Sequence, residues 1–295
     1  MEETDDVMMC FSTIQGSVLR SLIESIKEIL VDITIFFSPS DIRSTSIDGN
    51  KIACIFFVME ACKFEYYKCD NLFSVGINMQ SIYRLIKTIS NNDTVTMSIK
   101  KNEMHRLKIV ISNTEKQTRV ISYLKLLDID QEIISIPDIE FDHIITLPCI
   151  DFQRYCKDMM VISNTVTITC EPKLFTLKCE GDFAEQIIEI REFGSLLNNN
   201  TKKNKNDTTL CYNNQTLDII KEQIKTETTS NNNINNPFII TRGVFSLKYI
   251  NLFIKSSSLC STVELYLKND YPLVLIYKIG SLGKLQFCLA PSLNT

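Results

Sequence analysis

Four pairs of cationic side chains recur at helical spacing along this sequence: Arg20 with Lys27, Arg84 with Lys87, Arg154 with Lys157, and Lys248 with Lys255. Separations of three or seven residues place both members of a pair on one face of an α-helix. Few amide or aromatic side chains accompany these charges, so they suit phosphate oxygens rather than base edges. The chemistry to expect is weak, salt-sensitive contact with a duplex of any sequence. One such pair would mean little, because solvated helix faces commonly carry Lys and Arg, and Glu24 and Asp158 dilute the pattern. Four pairs in a chain of net charge −4 are another matter: the positive charge is segregated onto particular faces.

Enzymatic chemistry has little footing. His105 and His143 are the only two histidines, and neither has a partner at metal-ligand spacing or a nucleophile motif beside it. The eight glycines form no phosphate-cradling pattern. Asp128 and Asp130 lie in a connector, where carboxylates are solvated turn residues as a rule. Cys62 and Cys69 are too far apart for a CxxC unit. The eleven cysteines are odd in number and several sit in apolar runs, as Cys54, Cys149 and Cys288 do. That pattern reads as reduced, buried thiols. The expectation is a protein with no catalytic residue, no metal and no cofactor.

The elements that carry the cations repeat. Leu85-Ile86-Lys87-Thr88 runs through a polar turn into Thr94-Val95-Thr96-Met97-Ser98-Ile99, and Phe253-Ile254-Lys255-Ser256 does the same into Thr262-Val263-Glu264-Leu265-Tyr266-Leu267, in one constant register. A third helix-to-strand unit leads from Asp151 through Lys157 to Thr165-Val166-Thr167-Ile168, and a fourth from Gly16 to the strand Ile33 to Phe37. Leu19, Leu22, Ile23 and Ile26 mark one apolar helical face, so each helix packs on a sheet. Strands such as Leu107 to Ile111 and Leu273 to Tyr277 alternate or run apolar. The fold class is a duplicated α+β protein with two helices and many strands in each half.

The boundaries follow from breaks in this pattern. Residues 1–127 form the first domain, 128–143 a connector interrupted by Pro137, and 144–295 the second domain. Residues 194–236, flanked by asparagine triplets, are too polar to build a core and read as a mobile surface insertion, in which Thr216 to Ile220 could be a short strand or a helix. No run approaches the ~18 apolar residues of a membrane span, and Glu2, Glu3, Asp5 and Asp6 oppose a signal peptide. A soluble, intracellular chain with no membrane partner is the expectation. The heavy use of Asn, Ile and Lys suits a large DNA virus or an AT-rich protist.

Several stretches carry a family resemblance: Tyr67-Lys68-Cys69-Asp70, Gly76-Ile77-Asn78-Met79, Lys125 to Asp130, Ile136-Pro137, Phe152 to Asp158, Pro272-Leu273-Val274, Tyr277-Lys278-Ile279 and Leu289-Ala290-Pro291. In this order and spacing the chain resembles proliferating cell nuclear antigen, the sliding clamp of eukaryotes and archaea, over nearly all its length. The resemblance implies a DNA clamp fold, with helices lining a homotrimeric ring around double-stranded DNA and antiparallel sheets outside. It implies a processivity factor whose DNA-facing positions fall on the eight cations above. It places a pocket for partner peptides of DNA polymerase, clamp loader and other replication or repair proteins at Ile47, Ile52, Ile134, Ile136, Pro137, Pro272, Leu289, Ala290 and Pro291. Cys288 stands where the family usually has a tyrosine. Subunit contacts would match edge strands at Val120 to Lys125 and Phe183 to Arg191, with Ile121, Tyr123, Ile187 and Glu189 at the contact. The lysine that carries regulatory modifiers falls near Pro172, beside Lys173. Such a protein would work in the nucleus of a cell, or in the nucleus or cytoplasmic factory of a virus-infected host. The alternatives are a checkpoint-type heterotrimeric clamp subunit, a clamp-shaped DNA-modifying enzyme and a monomeric processivity factor.

Overall fold

The computed structural model describes residues 6–129, 139–191, 194–195 and 240–292. The first half contains β1 (Val7–Thr13), α1 (Gly16–Ile26), β2 (Asp32–Phe37), β3 (Asp41–Ile47), β4 (Ala53–Glu60), β5 (Tyr66–Cys69), β6 (Phe73–Asn78), α2 (Met79–Ile86), β7 (Asp93–Lys100), β8 (Arg106–Asn113) and β9 (Thr118–Lys125). The second contains β10 (His143–Pro148), α3 (Cys149–Met160), β11 (Thr165–Glu171), β12 (Leu174–Glu180), β13 (Glu185–Ile190), β14 (Gly194–Ser195), β15 (Thr241–Ser246), α4 (Leu247–Phe253), a 3-10 turn (Ile254–Ser258), β16 (Thr262–Leu267), β17 (Leu273–Ile279) and β18 (Gly283–Leu289). Ile134, Ile136, Pro137 and the segment Thr216 to Ile220 lie outside the described residues.

Three antiparallel sheets result. A five-stranded sheet runs β5-β1-β7-β8-β9, a four-stranded sheet runs β13-β12-β11-β15, and a nine-stranded sheet runs β14-β10-β16-β17-β18-β4-β3-β2-β6. The last is built from both halves. They join where β18 pairs with β4, Leu285 opposite Phe57 and Phe287 opposite Ile55. Strand alternation sets what each sheet hides: Val95, Met97 and Ile99 of β7 point into the core, and Thr94, Thr96 and Ser98 between them are half-exposed.

The helices cover the sheets with the apolar stripes the sequence displays. Leu19, Leu22, Ile23 and Ile26 of α1 are all buried, each contributing about 1.5–3 kcal/mol through removal from water. Burial along 81–90 repeats residue for residue along 151–160, the clearest structural trace of duplication. The Asn78 side chain accepts a hydrogen bond from the Ser81 N–H at 2.9 Å and so caps α2. Phe253, at the end of α4, stacks on Phe287 of β18 with ring centres 4.4 Å apart. One helix is thereby anchored beside the seam between halves.

The start of the connector is also fixed. Gly76 of β6 and Leu127 exchange backbone hydrogen bonds, at 3.1 and 2.8 Å. A Cβ on Gly76 would meet the Ile129 side chain at 2.6 Å and Leu127 O at 2.7 Å. Only glycine lets the connector lie this close across β6.

Candidate nucleic-acid interface and subunit edges

α1 packs against α2 and α3 against α4, and the 3-10 turn touches both α1 and α3. The four helices therefore form one continuous layer, and the eight cations can be judged side by side. Arg84, Lys87, Arg154, Lys157, Lys248 and Lys255 are exposed. Arg154 is held lightly, 3.4 Å from Asp151 and over the Tyr155 ring at 5.2 Å. Exposed pairs of that kind are worth well under ~1 kcal/mol, so the guanidinium can turn to a phosphate at little cost.

Arg20 and Lys27 differ from the expectation of an open cationic face. Arg20 is half-buried and donates to the Ile89 carbonyl. The Lys27 side chain is 12% exposed, paired with Glu28 and lying 4.6 Å from the centre of the Tyr83 ring. The close packing of α1 on α2 covers both long stems, which sequence spacing does not reveal. Lys255 departs in another way. Regular α-helix ends at Phe253, and Lys255 sits in the 3-10 turn, where the run Ser256, Ser257 and Ser258 is a poor helix former. Lys255 remains exposed and lies 3.3 Å from Glu28. Glu28 thus joins cations from the two halves, and its carboxyl is held below its ordinary value, first by the hydrogen bond from Lys27 and next by that from Lys255.

The residues expected to form a peptide pocket separate into two groups. Ile47, Ile52, Ala290 and Pro291 are half-buried, and the Ala290 N–H donates to Ile52 O at 2.9 Å. Leu289 is fully buried and Pro272 is buried too, so both support this region from beneath. Leu289 opposes Leu273 and Ala53 in the sheet, and alternation turns it away from half-exposed Cys288 and Ala290.

The two strands singled out for self-association are both at sheet edges. β9 closes one side of the five-stranded sheet and β13 one side of the four-stranded sheet. Along β9, Val120, Ile121 and Tyr123 are 54%, 46% and 53% exposed; Ile187 on β13 is 53% exposed and Phe183 just before it 74%. Long apolar edges with open backbone groups are a liability unless paired. Arg119 and Lys125 of β9 are exposed, as are Glu185 and Glu189 of β13, so the edges carry opposite charge. Beside β9, a cleft of about 350 Å³ is lined by Ser98, Lys100, Glu103, Arg106, Lys108 and Tyr123. Lys173 is exposed in the turn between β11 and β12.

Some pairings had no sequence signal. The Tyr249 hydroxyl donates to Asp48 across the halves, Glu28 bridges Lys27 and Lys255, and Cys149 meets Cys260. No group of three or more metal-ligating side chains occurs among the described residues.

Two family models match the chain: the N-terminal domain of proliferating cell nuclear antigen over residues 8–133, and its C-terminal domain over 135–218 and 205–292. A probable DNA polymerase sliding clamp of Paramecium bursaria Chlorella virus 1 is 32% identical over 296 residues, covering 99% of this chain and all of the relative. The proliferating cell nuclear antigen of Chaetomium thermophilum is 29% identical over 281 residues, covering 95% of this chain and 96% of its own. Two matched domains in sequence, on a duplicated framework of antiparallel sheets with four helices among the described residues, establish that the chain belongs to the proliferating cell nuclear antigen family.

Proposed function

We propose that this chain is a DNA polymerase processivity factor that closes with two further copies into a ring around duplex DNA, contributing no catalysis and needing no cofactor. The observation that carries this reading is the seam inside the chain. In the repeated framework β18 occupies the place of β9, and β4 the place of β13. Their counterparts are already joined, edge to edge, by an antiparallel ladder.

The strand registers extend the equivalence to single residues. Val95 and Val263 hold the same place; they face Ile111 and Tyr277, which face Val120 and Leu285. On the other side Asn78 and Ser246 correspond, and with them Val75 and Gly243, from which the ladders lead to Phe57 and Ile188. Because Leu285 opposes Phe57 within the chain, Val120 opposes Ile188 between copies. That register sets Arg119 opposite Glu189, Ile121 opposite Ile187, and Tyr123, with the cations of its cleft, opposite Glu185. Opposite charges meet at Arg119 and Glu189, and apolar partners at Val120 with Ile188 and Ile121 with Ile187. A head-to-tail contact of this kind generates a ring when its rotation closes; the family resemblance supplies the number three.

Within such a ring the exposed cations Arg84, Lys87, Arg154, Lys157, Lys248 and Lys255 line the hole and meet phosphates, with Arg20 and Lys27 beneath them. Ile47, Ile52, Ala290 and Pro291, with the connector residues Ile134, Ile136 and Pro137, receive the peptides of polymerase and loader. The complementarity of the chain's own two edges favours self-assembly over a checkpoint-type heterotrimer. Light scattering on the purified chain tests the assembly: a mass of three copies is expected, and a persistent monomer refutes the ring. Loaded onto a nicked circular duplex, the protein should persist until the circle is linearised. Equal loss from circle and line would refute encirclement.

A further inference from the structure

Two cysteines far apart in sequence meet at the foot of the helix layer. Cys149 opens α3, and its backbone N–H donates to Ser261 O at 2.8 Å. Cys260 precedes β16, with its sulfur 3.1 Å from the Thr262 carbonyl. The flanking strands hold this junction rigid, since Pro148 opposes Thr262 in the ladder. With the Cys149 N–H on Ser261 O, Cys260 is the next residue across the junction, and the two thiols influence one another there. Cys149 is buried, whereas Cys260 is partly open to solvent. Both thiols are free.

Their environments divide the chemistry between them. Cys149 lowers the Cys260 thiol below its ordinary value, aided by the backbone of Lys278 and Thr262 and by the Lys278 charge, while burial opposes it. Cys149 is correspondingly pushed up, by Cys260 first and by burial second. Cys156, one helical stretch away, shows what burial alone does: its thiol is raised to about 12. A partly exposed thiol, eased toward ionisation and set beside a buried second thiol, is the arrangement that makes a cysteine reactive and supplies it with a resolving partner.

We propose that Cys260 and Cys149 form a redox couple, in which hydrogen peroxide oxidises Cys260 and Cys149 then closes a disulfide between the start of α3 and the turn before β16. In the first step the Cys260 sulfur donates an electron pair to one peroxide oxygen, the O–O bond breaks, and hydroxide leaves. The product is a sulfenic acid. In the second step the Cys149 sulfur attacks the Cys260 sulfur, an S–S bond forms, the S–O bond breaks, and the departing hydroxide takes up the Cys149 proton as water. Overall, two thiols and one peroxide give one disulfide and two waters. The bond ties α3, which carries Arg154 and Lys157, to the segment that follows α4, which carries Lys248.

The test is equimolar hydrogen peroxide added to the full chain, followed by alkylation of remaining thiols and peptide mapping by mass spectrometry. A linked peptide pair joining Cys149 to Cys260, lighter by two hydrogens, is expected. It should form before exposed Cys62 is modified, and should be reversed by dithiothreitol with a downward shift in the thermal midpoint. C149S should leave Cys260 to over-oxidise, C260S should leave Cys149 reduced, and C62S should change neither. Because the wild-type map is decisive alone, a misfolded variant does not obscure the result. Oxidation of Cys62 ahead of Cys260, a different cysteine pairing, or a Cys260 oxidised with Cys149 still alkylated would each overturn the couple.

Discussion

Tyr249 of α4 donates its hydroxyl hydrogen to Asp48 at 2.7 Å, from one half of the chain to the other. Asp48 is buried at the tip of the β3–β4 hairpin, and its carboxylate also accepts from the N–H groups of Asn50, Ile52 and Ala53. One acid therefore shapes the hairpin beside Ile52 and locks it to a helix of the cation-bearing layer. Tyr249→Phe should lower unfolding stability by about 1 kcal/mol, and Asp48→Ala by roughly 2–4 kcal/mol because buried N–H groups lose their acceptor. Urea denaturation measures both; equal effects would show that the hairpin bonds contribute nothing beyond the clasp.

Gly76→Ala should dislodge the first residues of the connector, since the added Cβ would fall 2.6 Å from Ile129 and 2.7 Å from Leu127 O. The expected cost is about 1–3 kcal/mol. Hydrogen exchange at the Gly76 and Leu127 amides should accelerate while exchange in β17 and β18 stays slow. Unchanged protection at both amides would refute the close approach.

The helix layer predicts two kinds of cation. Lys87→Glu or Lys157→Glu should weaken duplex binding and reduce the slope of log affinity against log salt by roughly 1 for each phosphate contact removed. Lys27→Ala should instead lower stability, because Lys27 packs on Tyr83 and Glu28. A salt titration of binding paired with a thermal melt distinguishes them. Identical behaviour of Lys27 and Lys87 would contradict the layer as described.

The seam register predicts a charge swap. Arg119→Glu and Glu189→Arg should each weaken self-association, by roughly 0.2–1 kcal/mol per pair for cross-strand charges plus the repulsion introduced. Combined in one chain, the two should restore it. Sedimentation equilibrium reads the result, and a double variant weaker than either single one would rule out this register.

Glu28 gives a pH dependence with a definite sign. Its folded carboxyl lies below the ordinary value of 4.5, because of Lys27 first and Lys255 after desolvation. The stabilisation is therefore present above that value and is lost as pH falls through the folded pKa. The difference in thermal midpoint between wild type and Glu28→Gln should be constant near neutrality and close as the solution is acidified below 4.5. A gap that widens in acid would reverse the assignment.

Much of this architecture was legible in the sequence because it depends on periodicity. The stripe Leu19, Leu22, Ile23 and Ile26 is buried as its spacing requires, and the echo between Thr94 and Thr262 is a true equivalence of β7 and β16. Periodicity states which face a residue occupies, not what lies across from it. It could not tell that Tyr83 would cover Lys27, that Cys260 would meet Cys149, or that Asp48 would await Tyr249. Leu289 illustrates the same limit: its motif groups it with Ala290 and Pro291, but strand alternation turns its side chain inward. Ile134, Ile136 and Pro137 lie outside the described residues, so the connector's share of the pocket stays with the resemblance.

The ladder between β18 and β4 has a mechanical consequence. It shares one chain with the connector and is reinforced from below by Phe253 on Phe287 and Phe287 beside Tyr277. The proposed counterparts between copies would have no peptide bond across them and would present half-exposed side chains instead of stacked rings. A closed assembly of three chains would thus alternate welded joints with latched ones. Threading onto an unbroken duplex then calls for releasing a single latch, while every weld keeps the remaining arc stiff and ready to snap shut.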